Sequence, residues 1–503
     1  MITRYRNGKE TKMSFDLAQT EVTVREKRLK SIIYYQGKAS ALADPQNADK
    51  FACKERSYSQ CSDCAQMCAS TITYFVRDAA VVVHSPMGCF ANTPLNDTQF
   101  RNSALERGQK PDRVRVICSN ISEKDTVYGG IKKLEAAISE AYERFHPSVI
   151  FVHSSCAAGV VGDDLEGTAS DMKEKLNIPI IPVYCEGFKS KIWSSGFDAA
   201  YHGILKNIVK PAEKKQKDLV NIFNFLGSDT FTPLLGKLGL KANYLVPLAD
   251  VRTIEKMSEA ACSAHICETL GSYITDVLEK EFDVPKVKTP APFGIKWTDN
   301  WLREVASYTG KEDIVEDVIA SEHQRIQKDL EELRKSLSGK KIYVFAGDSY
   351  AHNIGSVVAD LGMELVGMTT LHHDMYSDGG EPGKDTLTEL LEIHGEIDNF
   401  SVCNKQPYQV LKLLEKTKPD VIIVRHMNMT ILGGKLGIPS LLEGETNISA
   451  GYDGVITTGK RIKNLMETRG ILKTLAEYNE FPYTDWWRKE ENPLYFEKGD
   501  KQK

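Results

Sequence analysis

Apolar runs of four to eight residues alternate along this chain with longer amphipathic stretches, from about residue 50 to residue 480. Short buried runs bounded by turn residues predict strands, and 3.6-residue periodicity predicts helices. In the first block, AAVVVHSPMG, RVRVICSN, SVIFVHSS and IPIIPVYCEGF read as strands, with GGIKKLEAAISEAYERF and TASDMKEKL as helices between them. A Lys-rich stretch, KPAEKKQKD, reads as a linker to a second block with strands near LVNIFNFLG and ANYLVPLAD. The helical segment IASEHQRIQKDLEELRKSL leads into a third set of strand and helix units: KKIYVFAGDSYAHNIGSVVADLGMELVGM, KPDVIIVRHMN and GYDGVITTG. Strands alternating with helices predict an α/β fold of three doubly wound parallel-sheet, Rossmann-like domains. The expected boundaries are an N-terminal extension 1–50, α/β domains 51–213, 214–340 and 341–485, and a polar tail 486–503.

At 503 residues, 41% of them hydrophobic, the chain can bury several cores. A net charge of −5 without a long basic block argues against nucleic acid as a partner. The polar start MITRYRNGKETKMSFD and the lack of an apolar run of about 18 residues argue against a membrane and for the cytoplasm. Neither a Walker A nor a full GxGxxG sequence occurs, so no ATP site is expected.

Eleven scattered cysteines point to metal or redox chemistry rather than a disulfide framework. Cys53, Cys118, Cys262 and Cys403 read as small buried apolar residues. Cys61-x2-Cys64-x3-Cys68 lacks the second pair of a structural zinc site. Cys64, Cys89 and Cys156 fall in SDCAQMC, HSPMGCF and HSSCAAGVVGDD, beside small residues where an iron–sulfur cluster can approach the backbone. Three thiolates leave a cluster short of four, so a partner chain or another residue type must complete it. His84 and His153 precede two of these cysteines and read as hydrogen-bonded core histidines. Cys267 begins ICETLGSYITDVLEKEFDVP, a helix whose N-terminal amides would stabilise a thiolate.

On these residues the chain resembles the catalytic D-type subunit of nitrogenase-like enzymes, over roughly residues 50 to 480. Intervals of 25 residues from Cys64 to Cys89 and 67 from Cys89 to Cys156 are similar to those of the three cysteines that hold half of that family's P-cluster. DTVYGGIKKL, CAAGVVGDDLE, PVYCEGF and CETLGSYITDVLEKEFDVP resemble its segments too. The resemblance implies an 8Fe-7S P-cluster-like group on Cys64, Cys89 and Cys156, shared with a K-type (beta) partner in an α2β2 heterotetramer. It further implies a large catalytic iron–sulfur cluster on Cys267, expected as 8Fe-9S-C without molybdenum or vanadium, and a homodimeric ATP-dependent iron–sulfur reductase as electron donor.

Departures from the family pattern shape the expected activity. Asp97, Trp193 and Phe197 stand where nitrogenase has an Arg, a Gln and a proton-supplying His; Asn428 stands for a Lys, and GIPSLLEGETNISAGYDG contains no His. These changes imply a drier, less basic pocket. His426, Glu443 and Glu445 are candidates for a distal ligand, with His426 preferred, and His202, Glu186 and His265 are candidate proton donors. The expected function is that of a methylthio-alkane reductase, cleaving small thioethers to methanethiol and a hydrocarbon. An E-type scaffold for cofactor maturation and a divergent nitrogenase alpha subunit are the alternatives.

Overall fold

The computed structural model describes the strands 2–6 and 9–13, residues 31–47, 64–91, 93–190, 192–225, 229–246, 248–373, 385–403, 407–425, 428–444 and 450–489, and the single residues 17, 19, 22, 51 and 448. An antiparallel hairpin, β1 (Ile2–Arg6) and β2 (Lys9–Met13), is followed by a short strand β3 (Tyr35–Gly37). The first parallel sheet comprises β4 (Ala79–Val83), β5 (Val116–Cys118), β6 (Val149–His153) and β7 (Ile180–Val183), in the order β5-β4-β6-β7. The second comprises β8 (Gln216–Phe223), β9 (Lys241–Val246) and β10 (Ala260–His265), in the order β10-β8-β9. The third contains β11 (Lys341–Ala346), β12 (Glu364–Thr370), β13 (Phe400–Val402), β14 (Val421–Val424) and β15 (Ser440–Leu442), in the order β15-β14-β11-β12-β13 with β3 added at the edge.

Central strands such as β4, β6 and β14 are buried along their whole length, which is why they read as unbroken Val/Ile runs. Helices cover them with apolar stripes. Ile131–Phe145 buries Leu134, Ala137, Ile138 and Ala141, and Val315–Leu337 buries Ile319, Ile326, Leu330, Leu333 and Leu337. None of the described helices is long and apolar enough to cross a membrane.

Three local readings differ from the expectation. The stretch KPAEKKQKD already contains the start of β8, and Lys215 Nζ donates to the carbonyls of Ser258, Phe282 and Asp283 rather than serving only as a solvated linker residue. The segment GYDGVITTG lies wholly in a helix, Gly451–Glu467. β3 pairs antiparallel with β13, so part of the expected N-terminal extension is built into the third sheet.

Each sheet changes winding direction once, leaving a crevice at the carboxyl ends of two neighbouring strands. The orders place those switch points between β4 and β6, between β8 and β10, and between β11 and β14.

Candidate functional site

At the first switch point, the segments leaving β4 and β6 carry Cys89, in the short turn Met87–Phe90, and Cys156, which opens the helix Cys156–Val161. Cys64 joins them as the N-cap of the helix Ala65–Thr73, and all three thiols are exposed. A Cβ added at Gly187 would lie 3.5 Å from Cys64 Cβ and 3.7 Å from Cys156 Sγ, so both side chains border the space above this glycine. Burial, followed by the neighbouring Cys64 and Cys156, raises the Cys89 thiol above its ordinary pKa. Exposed Cys64 and Cys156 beside Gly187, with Cys89 near enough to be influenced by both, suit a bulky inorganic cluster.

The loops are braced from behind. His84, fully buried, makes hydrogen bonds of 2.8 Å to Ser119 Oγ and 2.9 Å to Asp163, and Asp163 also accepts the Gly130 N–H. His153 lies 2.8 Å from Thr73 Oγ1, and burial alone pushes its pKa down to about 3. Both histidines are therefore core residues, as their position after buried strands predicts. Around the thiols, Met87, Val127, Tyr128, Val160 and Phe188 are more than half exposed, an apolar face on a chain with many charges.

The second and third switch points face each other. Phe225 follows β8, Cys267 follows β10, Gly347 and Tyr350 follow β11, and Arg425 follows β14, and all five line one cavity. Cys68, Thr71, Trp193, Phe197 and Thr269 complete its wall, and the space within is about 490 Å³, part of it open to solvent. Cys267 is 4% exposed and is the N-cap of the helix Glu268–Phe282. Its backbone is clamped by the third domain: Asn353 Nδ2 donates to Ile266 O at 3.0 Å, and Glu268 N–H donates to Ser349 Oγ at 3.0 Å. A buried thiol at a helix N-terminus, facing a cavity, suits a thiolate ligand. The aromatic wall is continuous, with ring centroids 5.9 Å apart for Trp193–Phe197 and 6.1 Å for Phe197–Phe225.

Arg425 was not anticipated. It is 8% exposed, with its guanidinium 4.6 Å from the Phe225 ring and 5.6 Å from the Tyr350 ring. The cavity wall therefore includes a guanidinium that the sequence reading did not single out. Its one local signal is VIIVR, a charged residue directly beyond an apolar run; that the run ends at a switch point is decided by strand order.

Of the expected proton donors, the structure sets two apart from this cavity. His202 is held between Tyr273 OH at 2.6 Å and Gln19 O at 2.8 Å, and it lines a different cleft with Glu166, Lys173 and Lys206. Glu186, 4% exposed, pairs with Lys189 Nζ at 3.1 Å and sits against Gly159, beside Cys156 rather than Cys267. Cys185 likewise packs against Ser154, with burial raising its thiol well above the usual value. His265 is near Cys267 in sequence but lies within a buried charge cluster, 3.4 Å from Glu268, whose carboxylate meets Lys286 at 3.3 Å. Asp97 accepts the Val114 N–H at 3.1 Å and tethers the chain entering β5. Glu443 is buried, 3.7 Å from Arg461. His426, Glu445, Cys53 and Cys61 lie outside the described residues.

The chain belongs to the nitrogenase component 1 type oxidoreductase family, whose profile matches residues 64–467. Among curated proteins it is 28% identical over 407 residues to the nitrogenase iron-molybdenum cofactor biosynthesis protein NifE of Methanococcus maripaludis, covering 78% of this chain and 81% of that one. It is 29% identical over 394 residues to the nitrogenase molybdenum-iron protein alpha chain of Methanosarcina barkeri, covering 74% and 72%. Among solved structures, "Nitrogenase Cp1 at pH 5" superposes with a TM-score of 0.66 at 22% identity, covering 86% of this chain and 91% of that one.

Proposed function

We propose that this chain is the D-type catalytic subunit of a nitrogenase-like iron–sulfur reductase that cleaves the C–S bond of small thioethers. One observation carries the reading: the aromatic wall of Trp193, Phe197, Phe225 and Tyr350 around Cys267, which suits a small uncharged guest. In this reading Cys64, Cys89 and Cys156 hold half of a P-cluster-like group, and Cys267 anchors the catalytic cluster, which supplies accumulated electrons when bound. The apolar face around the three thiols is then the seat of a K-type subunit in an α2β2 assembly, with a separate ATP-dependent iron–sulfur reductase as donor.

The helix Ala65–Thr73 supports electron transfer between the two sites. Cys64 caps it at the exposed face, while Cys68 and Thr71 line the Cys267 cavity. Seven residues of helix span about 10 Å, a short path between centres. Trp193 and Phe197 exclude water, and Arg425 balances negative charge gathered in the cavity. For 2-(methylthio)ethanol, two electrons and two protons yield ethylene, methanethiol and water.

A cofactor-maturation scaffold is the second reading, favoured by the similarity to NifE and by the lack of a His in GIPSLLEGETNISAGYDG. The deciding experiment uses the anaerobically purified complex with its reductase. Reductant- and ATP-dependent release of ethylene and methanethiol, with iron but neither molybdenum nor vanadium bound, supports the reductase. An inert iron-loaded complex that transfers its cluster to an apo-enzyme establishes the scaffold.

A further inference from the structure

A cavity in which protons are consumed needs a proton source placed against it, and Phe197 contributes none from the aromatic wall. The opposite side has one. Thr269 lines the cavity, and its Oγ1 lies 3.2 Å from Nε2 of His372, a fully buried residue whose ring stands 5.7 Å from Trp193. The next residue, His373, is also fully buried and bonds through Nδ1 to Asp348 Oδ1 at 2.9 Å. Its Nε2 is 3.8 Å from Asp385 Oδ2. His352 completes the group: its Nε2 is 4.0 Å from Asp348 Oδ1, and its Nδ1 is 2.7 Å from Thr386 Oγ1. Burial raises the Asp348 acid, but His373, His352 and His372 together outweigh that and hold it below the ordinary carboxylate value. Buried ionisable groups are costly to retain unless they are paired, so such a concentration behind one wall of a cavity marks function.

We propose that His372, backed by the buried His373–Asp348 pair, is a proton relay serving the Cys267 cavity through the Thr269 hydroxyl. The inference rests on the reductive reading of that cavity. For each electron supplied by the iron–sulfur reductase, the Thr269 O–H bond breaks as its proton passes to the species being reduced. The hydroxyl is restored by the Nε2 proton of His372. His372 then recovers a proton from water, under the pull of the Asp348 carboxylate, so neither His372 nor Thr269 changes over a cycle. His372 acts through Thr269 and is a positioning residue; it does not touch the reacting atoms.

The test uses the assembled complex carrying His372→Gln, Thr269→Val or Thr269→Ser. We expect the first two to keep wild-type iron content and the EPR spectrum of the resting clusters, to lower kcat about a hundredfold at unchanged KM, and to raise the solvent deuterium isotope effect. Thr269→Ser, which restores the hydroxyl, should recover turnover. A redox titration supplies a readout independent of turnover. The potential of the cavity cluster should vary with pH in the wild type, and this variation should flatten in His372→Gln. Iron-replete His372→Gln and Thr269→Val complexes with wild-type pH dependence of the potential would overturn the relay. A wild-type complex that is inert towards thioethers but shows the His372-dependent potential would retain the relay and discard the thioether reading.

Discussion

Gly187 makes the clearest case at the scale of one residue. A methyl there would sit at ordinary van der Waals distance from Cys64 and Cys156, so the protein alone can accept it, but it would fill space that a cluster must enter. Gly187→Ala should keep the melting temperature of the wild-type apo chain while losing iron at the exposed thiols; full iron loading would show that the cluster seats elsewhere. Cys267→Ala should remove the cavity iron and spare the iron at the other three thiols, so unchanged iron per chain would end the assignment. His153 sets a pH dependence. Its pKa falls from an ordinary 6.5 to about 3 on burial, so the native state resists protonation that the unfolded chain accepts. That contribution is intact above about pH 6.5 and is lost as the pH falls towards 3. Urea unfolding of the apo chain should show this slope, and it should be shallower in His153→Gln.

At the scale of elements, the helices Ala65–Thr73 and Ser195–Asn207 pack so closely that a Cβ at Gly196 would meet the Ala65 carbonyl oxygen at 1.8 Å. Backbone is the obstacle, so the helices themselves must part. Gly196→Ala should cost on the order of 1–3 kcal/mol of stability, read from the urea midpoint. It should also weaken iron binding, because the displaced helix carries Cys64 at its cap and Cys68 at the cavity. Neither helix was singled out in the sequence reading, and Ser195–Leu205 is buried on every side, so it has no amphipathic spacing to read. Their contact was equally hidden, because nothing in SSGFDAAYHG or AQMCASTIT specifies which helix the glycine faces.

Across the whole molecule, β3 is the element whose place was least visible. Three residues, YQG, carry no strand period of their own, yet they cover the β13 edge of the third sheet, and the following helix Ala39–Ala43 packs on Thr386–His394. Removing residues 1–47 should therefore speed hydrogen exchange at Phe400–Val402 and leave β4 and β6 protected; equal protection at β13 would show that the edge does not need its cover. In the proposed function the three exposed thiols and their apolar surround likewise belong to this scale, since a partner chain would complete the cluster there.

What the amino-acid order determined is what depends on local periodicity and local chemistry. Alternating apolar runs and amphipathic stretches gave the three parallel-sheet blocks, and thiols beside small residues singled out Cys64, Cys89, Cys156 and Cys267 as candidate ligands. The core roles of His84 and His153 followed from their place after buried strands. Tertiary structure alone decided which strand ends share a crevice, because strand order reflects pairing between segments about 40 to 80 residues apart. That is why Arg425, Phe225, Tyr350 and Thr269 emerged only in the fold. It is also why Glu186 moved to the exposed thiols, His202 to Tyr273 and Asp97 to Val114: each carries suitable chemistry, but a side chain's neighbours are set by packing, and no local pattern records them.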